Sequence, residues 1–210
     1  MGQYYCPTIM APDGRILTIT SNDFGSGAKL TEHSWIGNTF VNAAYSLIYK
    51  SQKRVAWIGD YSCDEYETYD EAYTKAMPFD QFKKYYDASW GEDCEGLPVT
   101  LFSKKDLAIL DYGTKRMFLV NHEKHRYIDM TAYIRDNITN GGLWDGWCMN
   151  PLPLLTACGN GRGGGDFCKG RIGYQDIGIW AFDYLEYTDK LPVGYSEAIF
   201  YFDENKEATA

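Results

Sequence analysis

Residues Cys158-Gly159-Asn160-Gly161-Arg162-Gly163-Gly164-Gly165-Asp166-Phe167 form the most chemically distinctive stretch of the chain. Glycines at this density let the backbone take positive φ and bring N–H groups close to an anion, and Arg162 adds a charged clamp. The expected chemistry is binding of a phosphate or carboxylate by Gly159, Asn160, Gly161, Arg162, Gly163, Gly164, Gly165 and Asp166. Asp166 could hold a ribose hydroxyl, an amide or a metal, or close the loop as an Asx turn. Residues 159 to 164 formally satisfy G-x-G-x-x-G, with Asp183 about 20 residues on, as the dinucleotide fingerprint asks. That fingerprint must open a helix, and Gly165-Asp166-Phe167-Cys168-Lys169-Gly170 has no helical period. A Walker A loop is excluded because no Gly-Lys-Ser/Thr follows. The competing reading is a connection whose glycines serve backbone shape alone.

Three further groups carry candidate chemistry. Asp23, Lys29, Glu32 and His33 could supply an acid, a base and a cation within one loop and helix start, with Asp23 and His33 as catalytic candidates. Against this stands the ordinary role of a lone histidine, a satisfied structural hydrogen bond. Asp60 is the third catalytic candidate, at the carboxyl end of a strand beside the aromatic faces of Trp57 and Tyr61. Aromatics near a glycine-rich loop suit the stacking of a nucleobase, although core packing explains most aromatics in any chain. His122 and His125 fall at a hairpin tip and read as exposed turn residues. No C-x-x-C pair and no third ligand beside the histidines is present, so no metal site is expected. No cofactor is implied, and no G-x-S-x-G, H-E-x-x-H or papain-like signature assembles a hydrolase.

The elements that must position these groups read as a single α+β domain over 1–203, mostly antiparallel sheet, followed by a polar tail over 204–210. Tyr4 to Met10 and Ile16 to Ile19 flank Pro12-Asp13-Gly14 as a hairpin. Ile36, Phe40, Val41, Ala44, Leu47 and Ile48 recur at helical spacing, which predicts one clear amphipathic helix over 36–50, capped by Ser34 or by Asn38 with Gly37 outside. Arg54 to Ile58 reads as a strand. Met117 to Val120 and Tyr127 to Met130 form a second hairpin around His122-Glu123-Lys124-His125. Ten glycines between Gly141 and Gly173 argue against regular helix there. The last strands are placed at Ile177 to Tyr184 and Tyr195 to Phe202.

The chain has 210 residues, 45% hydrophobic and 16% aromatic, with a formal net charge of -9. This composition excludes a disordered or fibrous protein and disfavours a broad nucleic-acid surface or an anionic membrane as partner. The acidity is local: residues 60 to 95 hold eleven acidic and three basic side chains, and the remainder is almost neutral. An anion is therefore compatible with the glycine-rich loop. No run of 18 apolar residues marks a membrane span, and the amino terminus lacks a signal pattern, so a cytoplasmic protein with reduced thiols is expected.

Met1-Gly2-Gln3-Tyr4-Tyr5, Asp23-Phe24-Gly25, Lys29-Leu30, Glu32-His33-Ser34-Trp35-Ile36-Gly37-Asn38 and Gly59-Asp60-Tyr61 share a further property. Together with Pro151-Leu152-Pro153-Leu154-Leu155-Thr156 running into Gly159 to Asp166, they resemble a family of uncharacterised proteins from phages, prophages and gut bacteria. The resemblance implies a phage-type accessory protein that counters host antiviral defence from the host cytoplasm, by binding a nucleotide-like or other anionic ligand or a host defence protein. Two alternatives stand beside it. One is a hydrolase or transferase acting on a phosphorylated small molecule. The other is an acidic mask that uses the 60–95 segment, including Asp64, Glu65, Glu67, Asp70 and Glu71, to imitate nucleic acid.

Overall fold

A computed structural model describes residues 2–61, 85, 87–89, 99–107, 115–140, 143–144, 147–159 and 176–200. In chain order its strands are β1 (Tyr5–Met10), β2 (Ile16–Thr18), β3 (Lys53–Gly59), β4 (Val99–Leu101), β5 (Phe118–Asn121) and β6 (Arg126–Asp129). They continue as β7 (Leu143–Trp144), β8 (Trp147–Cys148), β9 (Ala157–Cys158), β10 (Tyr184–Thr188) and β11 (Ser196–Glu197). One mixed sheet runs β11-β6-β5-β10-β3-β1-β2-β4, with β9 beside β3, and β7-β8 forms a separate ribbon. The fold is α+β with a mostly antiparallel sheet. Hairpins account for β1–β2 and β5–β6, and the turn at Gly14 takes φ 84, the left-handed value glycine tolerates. Parallel pairing occurs at β11–β6, β2–β4 and β3–β9.

The helices are α1 (Leu30–His33), α2 (Thr39–Leu47), α3 (Met130–Asn140) and α4 (Pro151–Leu155). The helix expected over 36–50 is α2, shorter at both ends: Asn38 caps its start, and the helix closes at Leu47 with Ile48 as its C-cap. Asn38 Oδ1 accepts from the backbone N–H of Phe40 at 2.9 Å and of Val41 at 3.3 Å, and Gly37 stays outside at φ 90. Its Nδ2 also donates to Ser26 Oγ at 2.8 Å, which ties the helix start to the preceding loop. Asn38→Ala is expected to cost about 1–2 kcal/mol, read as a lower urea midpoint at unchanged m-value. α2 packs on the sheet through Phe40 against Trp57 and through Tyr45 against Tyr187, with ring centroids 5.7 and 4.5 Å apart.

Three expectations are corrected. Residues 177–182 are turns, and the strand lies later, at β10. Ile177, Trp180, Ala181 and Phe182 are buried, and the backbone of this segment runs beside α4, whose last carbonyls lack partners within the helix. Gly178 N–H donates to Leu154 O at 2.8 Å and Trp180 N–H to Leu155 O at 2.7 Å, so this backbone is satisfied without a ladder. Helix also occurs inside the glycine-rich region 141–173. None of its ten glycines falls between Pro151 and Leu155, where Asn150 Oδ1 accepts from Leu152 N–H at 3.0 Å and Pro151 opens the helix. The strand expected over 195–202 is only the two residues of β11, at the sheet edge; residues 201–210 lie outside the described set. α3 has no counterpart in the sequence reading, although Asp129 Oδ1 accepting from Ala132 N–H at 3.0 Å marks its start.

Candidate functional site

β3 and β9 run parallel, with Trp57 opposite Ala157 and Ile58 opposite Cys158, so their carboxyl ends lie side by side. β3 ends on Gly59, with Asp60 next, and β9 is followed directly by Gly159. The Gln3 side chain, fully buried, occupies the space between them. A β-carbon on Gly59 would lie 2.7 Å from Gln3 Cδ, and one on Gly159 would overlap the Tyr5 hydroxyl and lie 2.8 Å from Gln3 Oε1. The Tyr5 hydroxyl donates to Gln3 Oε1 at 3.1 Å and closes this packing. Both glycines are therefore required by close approach, independently of any positive φ. Asp60 is fixed at the same end: its N–H donates to Tyr4 O at 2.9 Å, and its Oδ1 accepts from Tyr4 N–H at 2.9 Å. Burial, then the Asp60 charge, pushes the Cys6 thiol up to about 12, so this cysteine stays protonated and inert at neutral pH. A cavity of about 420 Å³ opens on the Tyr4–Cys6 side, lined also by Thr18, Ser21, Val99 and Leu101.

His33 lies in the core. Its Nε2 accepts the Trp57 indole N–H at 2.8 Å, which requires Nδ1 to carry the proton and donate it to Gly27 O at 3.0 Å. The ring packs edge-on to Phe40 at 5.2 Å and beside Trp57 at 5.7 Å. Complete burial pushes its pKa down to about 4, against smaller upward contributions from the Gly27 hydrogen bond and the Glu32 charge. His33 is neutral at pH 7 with both nitrogens engaged, a linkage between the 25–28 loop and β3. Trp57 is also fully buried, so its faces serve the core and are closed to a base. Lys29 and Glu32 satisfy each other through Lys29 N–H to Glu32 Oε2 at 3.1 Å and an ion pair at 3.2 Å. Asp23 stands exposed on the short 3-10 turn Ser21–Phe24.

Of the expected site residues, Asp60 and Gly159 come together. Asp23 and His33 serve different places, one at the surface and one in the core. Asn160, Gly161, Arg162, Gly163, Gly164, Gly165 and Asp166 lie outside the described residues, as do Asp64, Glu65, Glu67, Asp70 and Glu71.

A second polar assembly was not anticipated. Asp183 Oδ2 pairs with Lys124 Nζ and accepts from Asn121 Nδ2 at 2.7 Å, while Glu123 pairs with Arg54 at 3.2 Å. Burial, then a hydrogen bond to Asp183, raises the pKa of Glu123. Arg54 lies over the Tyr184 ring at 4.1 Å and donates to Phe182 O at 2.7 Å. Phe182 itself sits at φ 64, a conformation that costs a non-glycine residue on the order of 1 kcal/mol and is held by these contacts. The sequence signal was present in His122-Glu123-Lys124-His125, but its partners, Arg54 on β3 and Asp183 just before β10, are distant in the chain.

Among the described residues no helix is long and apolar enough to cross a membrane, and no group of three or more His, Cys, Asp or Glu is placed to hold a metal. Comparison with protein-family models, with curated proteins and with solved structures finds no match.

Proposed function

We propose that this chain is a phage-type accessory protein that counters host antiviral defence by binding, and that its ligand is a nucleotide-like or other anionic small molecule held at the glycine-rich loop 159–166. Support comes from one observation: Gly159, the first residue of this stretch, lies beside Gly59 and Asp60 at the carboxyl ends of two parallel strands braced by Gln3. A rigid base under a run of glycines offers backbone N–H groups to an anion without a large ordering cost at the root. Arg162 then supplies the charge, and Asp60 stands at the edge as a hydrogen-bond acceptor for a hydroxyl or amide. The alternative of a hydrolase drawing on His33 is less well supported, since neither ring nitrogen is open to a substrate.

The test is thermal denaturation with a panel of nucleotides and cyclic nucleotides. A ligand at a hundred times its Kd adds about 2.7 kcal/mol, which for a chain of this size raises Tm by about 5–10 °C. Arg162→Ala is expected to remove that rise. A flat response across the panel rejects the nucleotide reading, and a rise that survives Arg162→Ala moves the ligand away from the loop.

A further inference from the structure

His122 lies at the end of the β5 strand, on the same sheet face as Glu186. Glu186 is opposite Val120 in the β5–β10 ladder, and His122 is two residues further along, so the two side chains are diagonal neighbours. His122 Nε2 is 3.0 Å from Glu186 Oε2, and its Nδ1 is 3.1 Å from the Tyr195 hydroxyl. Tyr195 directly precedes β11 and is half-buried; the His125 ring lies over it at 4.9 Å. The side chains of His122 and Glu186 remain 14% and 19% exposed, so the group is sheltered yet still reached by solvent.

The three residues stand in the order hydroxyl, imidazole, carboxylate. Glu186 can only accept, so it draws the imidazole proton to Nε2 and leaves Nδ1 as the base that faces the Tyr195 O–H. This is the arrangement that activates a weak oxygen nucleophile: a hydroxyl, an adjacent base and a third group that fixes the base. α2 packs on the opposite face of the sheet, against Trp57 and Tyr187, and does not cover this set.

We propose that Tyr195, His122 and Glu186 form a second, chemically active site, in which Tyr195 is a nucleophile toward an uncharged acyl ester. Local charge selects the substrate class. The set itself carries the Glu186 carboxylate and Glu197 follows Tyr195 by two residues, while Arg54 and Lys124 are paired to Glu123 and Asp183, and Arg126, opposite Asn121, falls on the other sheet face by register. A phosphate ester would meet net negative charge, and a neutral ester does not. In the step, the Tyr195 oxygen bonds to the acyl carbon, the ester C–O bond breaks, and the Tyr195 proton passes to His122 Nδ1. His122 returns that proton to the departing alkoxide. Glu186 is the positioning residue.

An aryl sulfonyl fluoride tests the nucleophile, because it captures an activated phenol as a stable sulfonate with loss of fluoride. Labelling is followed site by site by peptide mass spectrometry, with the exposed Tyr4 and Tyr184 as internal references. Tyr195 is expected to label faster than either. General-base assistance is worth about a hundredfold at its low end, so His122→Ala is expected to slow Tyr195 by that order while Tyr4 and Tyr184 are unchanged. Glu186→Gln keeps the shape and is expected to slow Tyr195 by about tenfold at unchanged Tm, which a purely structural carboxylate would not do. p-Nitrophenyl acetate then reports acyl transfer, expected to vanish in Tyr195→Phe. Tyr195 labelling no faster than Tyr4, or a rate unaltered by Glu186→Gln in the folded protein, overturns the proposal.

Discussion

Folding stability is expected to fall by about 3 kcal/mol between pH 7 and pH 4 through His33 alone. In the folded protein this ring titrates at about 4, and in the unfolded chain at 6.5. Below pH 6.5 the unfolded state takes up a proton that the folded state refuses, so the stability present at neutral pH is lost progressively until the folded ring also protonates. The cause is solvation: the ring is sealed among Phe40, Trp57 and the backbone of Gly27, and a charge there has no water. Urea titrations at pH 7, 5.5 and 4.5 on the wild type and on His33→Gln separate this group from the carboxylates, which titrate in both. The wild type is expected to lose its advantage over the variant as pH falls, and parallel pH profiles would refute the assignment. If His33→Gln does not fold, the wild-type His33 ring resonances provide the check, since they are expected to hold constant from pH 8 to about 5.5 and a midpoint above 6 would be incompatible with a sealed neutral ring. His33→Ala carries a larger penalty, at least about 3 kcal/mol at pH 7, because it opens a cavity and leaves the Trp57 N–H and Gly27 C=O unpaired.

The same residue shows where the sequence is informative and where it stops. The helical period from Phe40 to Leu47 and the Asn38 cap are local, and both are readable before any fold is known. So are the turn at Pro12-Asp13-Gly14 and the hairpin around residues 122–125, because turn chemistry is written in adjacent residues. For His33 the sequence allows a catalytic base beside the charged Lys29 and Glu32 or a histidine held by structural hydrogen bonds, and the structure shows the second. Its actual partner is Trp57, 24 residues away on a strand, and burial replaces local charge as the governing influence. Tertiary context also explains the misplaced strand. Ile177 to Phe182 has the apolar content of a strand, yet α4 offers open carbonyls, and those were unreadable because α4 was hidden by the glycine count around it. At the candidate site, Gly159 and Asp60 were each identified, but their convergence depends on the parallel β3–β9 pairing. That pairing joins strands about 100 residues apart and leaves no local signature.

Gly159→Ala is expected to destabilise the protein by about 2–3 kcal/mol, at the upper end of the usual cost of forcing an extra methyl into a packed core. The new methyl would overlap the Tyr5 hydroxyl and press on Gln3 Oε1, and neither has much room to retreat: Gln3 is fully buried between the two glycines, and Tyr5 is 2% exposed. The backbone at Gly159 does not take a positive φ, so the penalty is steric and is partly relieved by removing the nearest obstructing atom, with Gln3 Oε1 at 2.8 Å and Tyr5 Cζ at 2.9 Å left to shift slightly. Tyr5→Phe does this, at the cost of the hydrogen bond to Gln3, about 1 kcal/mol. In the double variant the methyl moves into the space the hydroxyl left, and the two losses should sum to less than their separate values by about 2 kcal/mol, which makes the double variant more stable than Gly159→Ala alone. Urea midpoints of the four proteins measure that coupling, and strict additivity would place Gly159 outside the Gln3–Tyr5 contact. Because Gly159 opens the stretch 159–166 where we propose the ligand binds, the single variant should also weaken that proposed binding beyond its effect on folding, whereas the double variant recovers part of both together. Recovery of stability without recovery of binding would mean that the loop needs the Tyr5 hydroxyl itself. The brace at the ends of β3 and β9 would then be part of the binding site and not only its support.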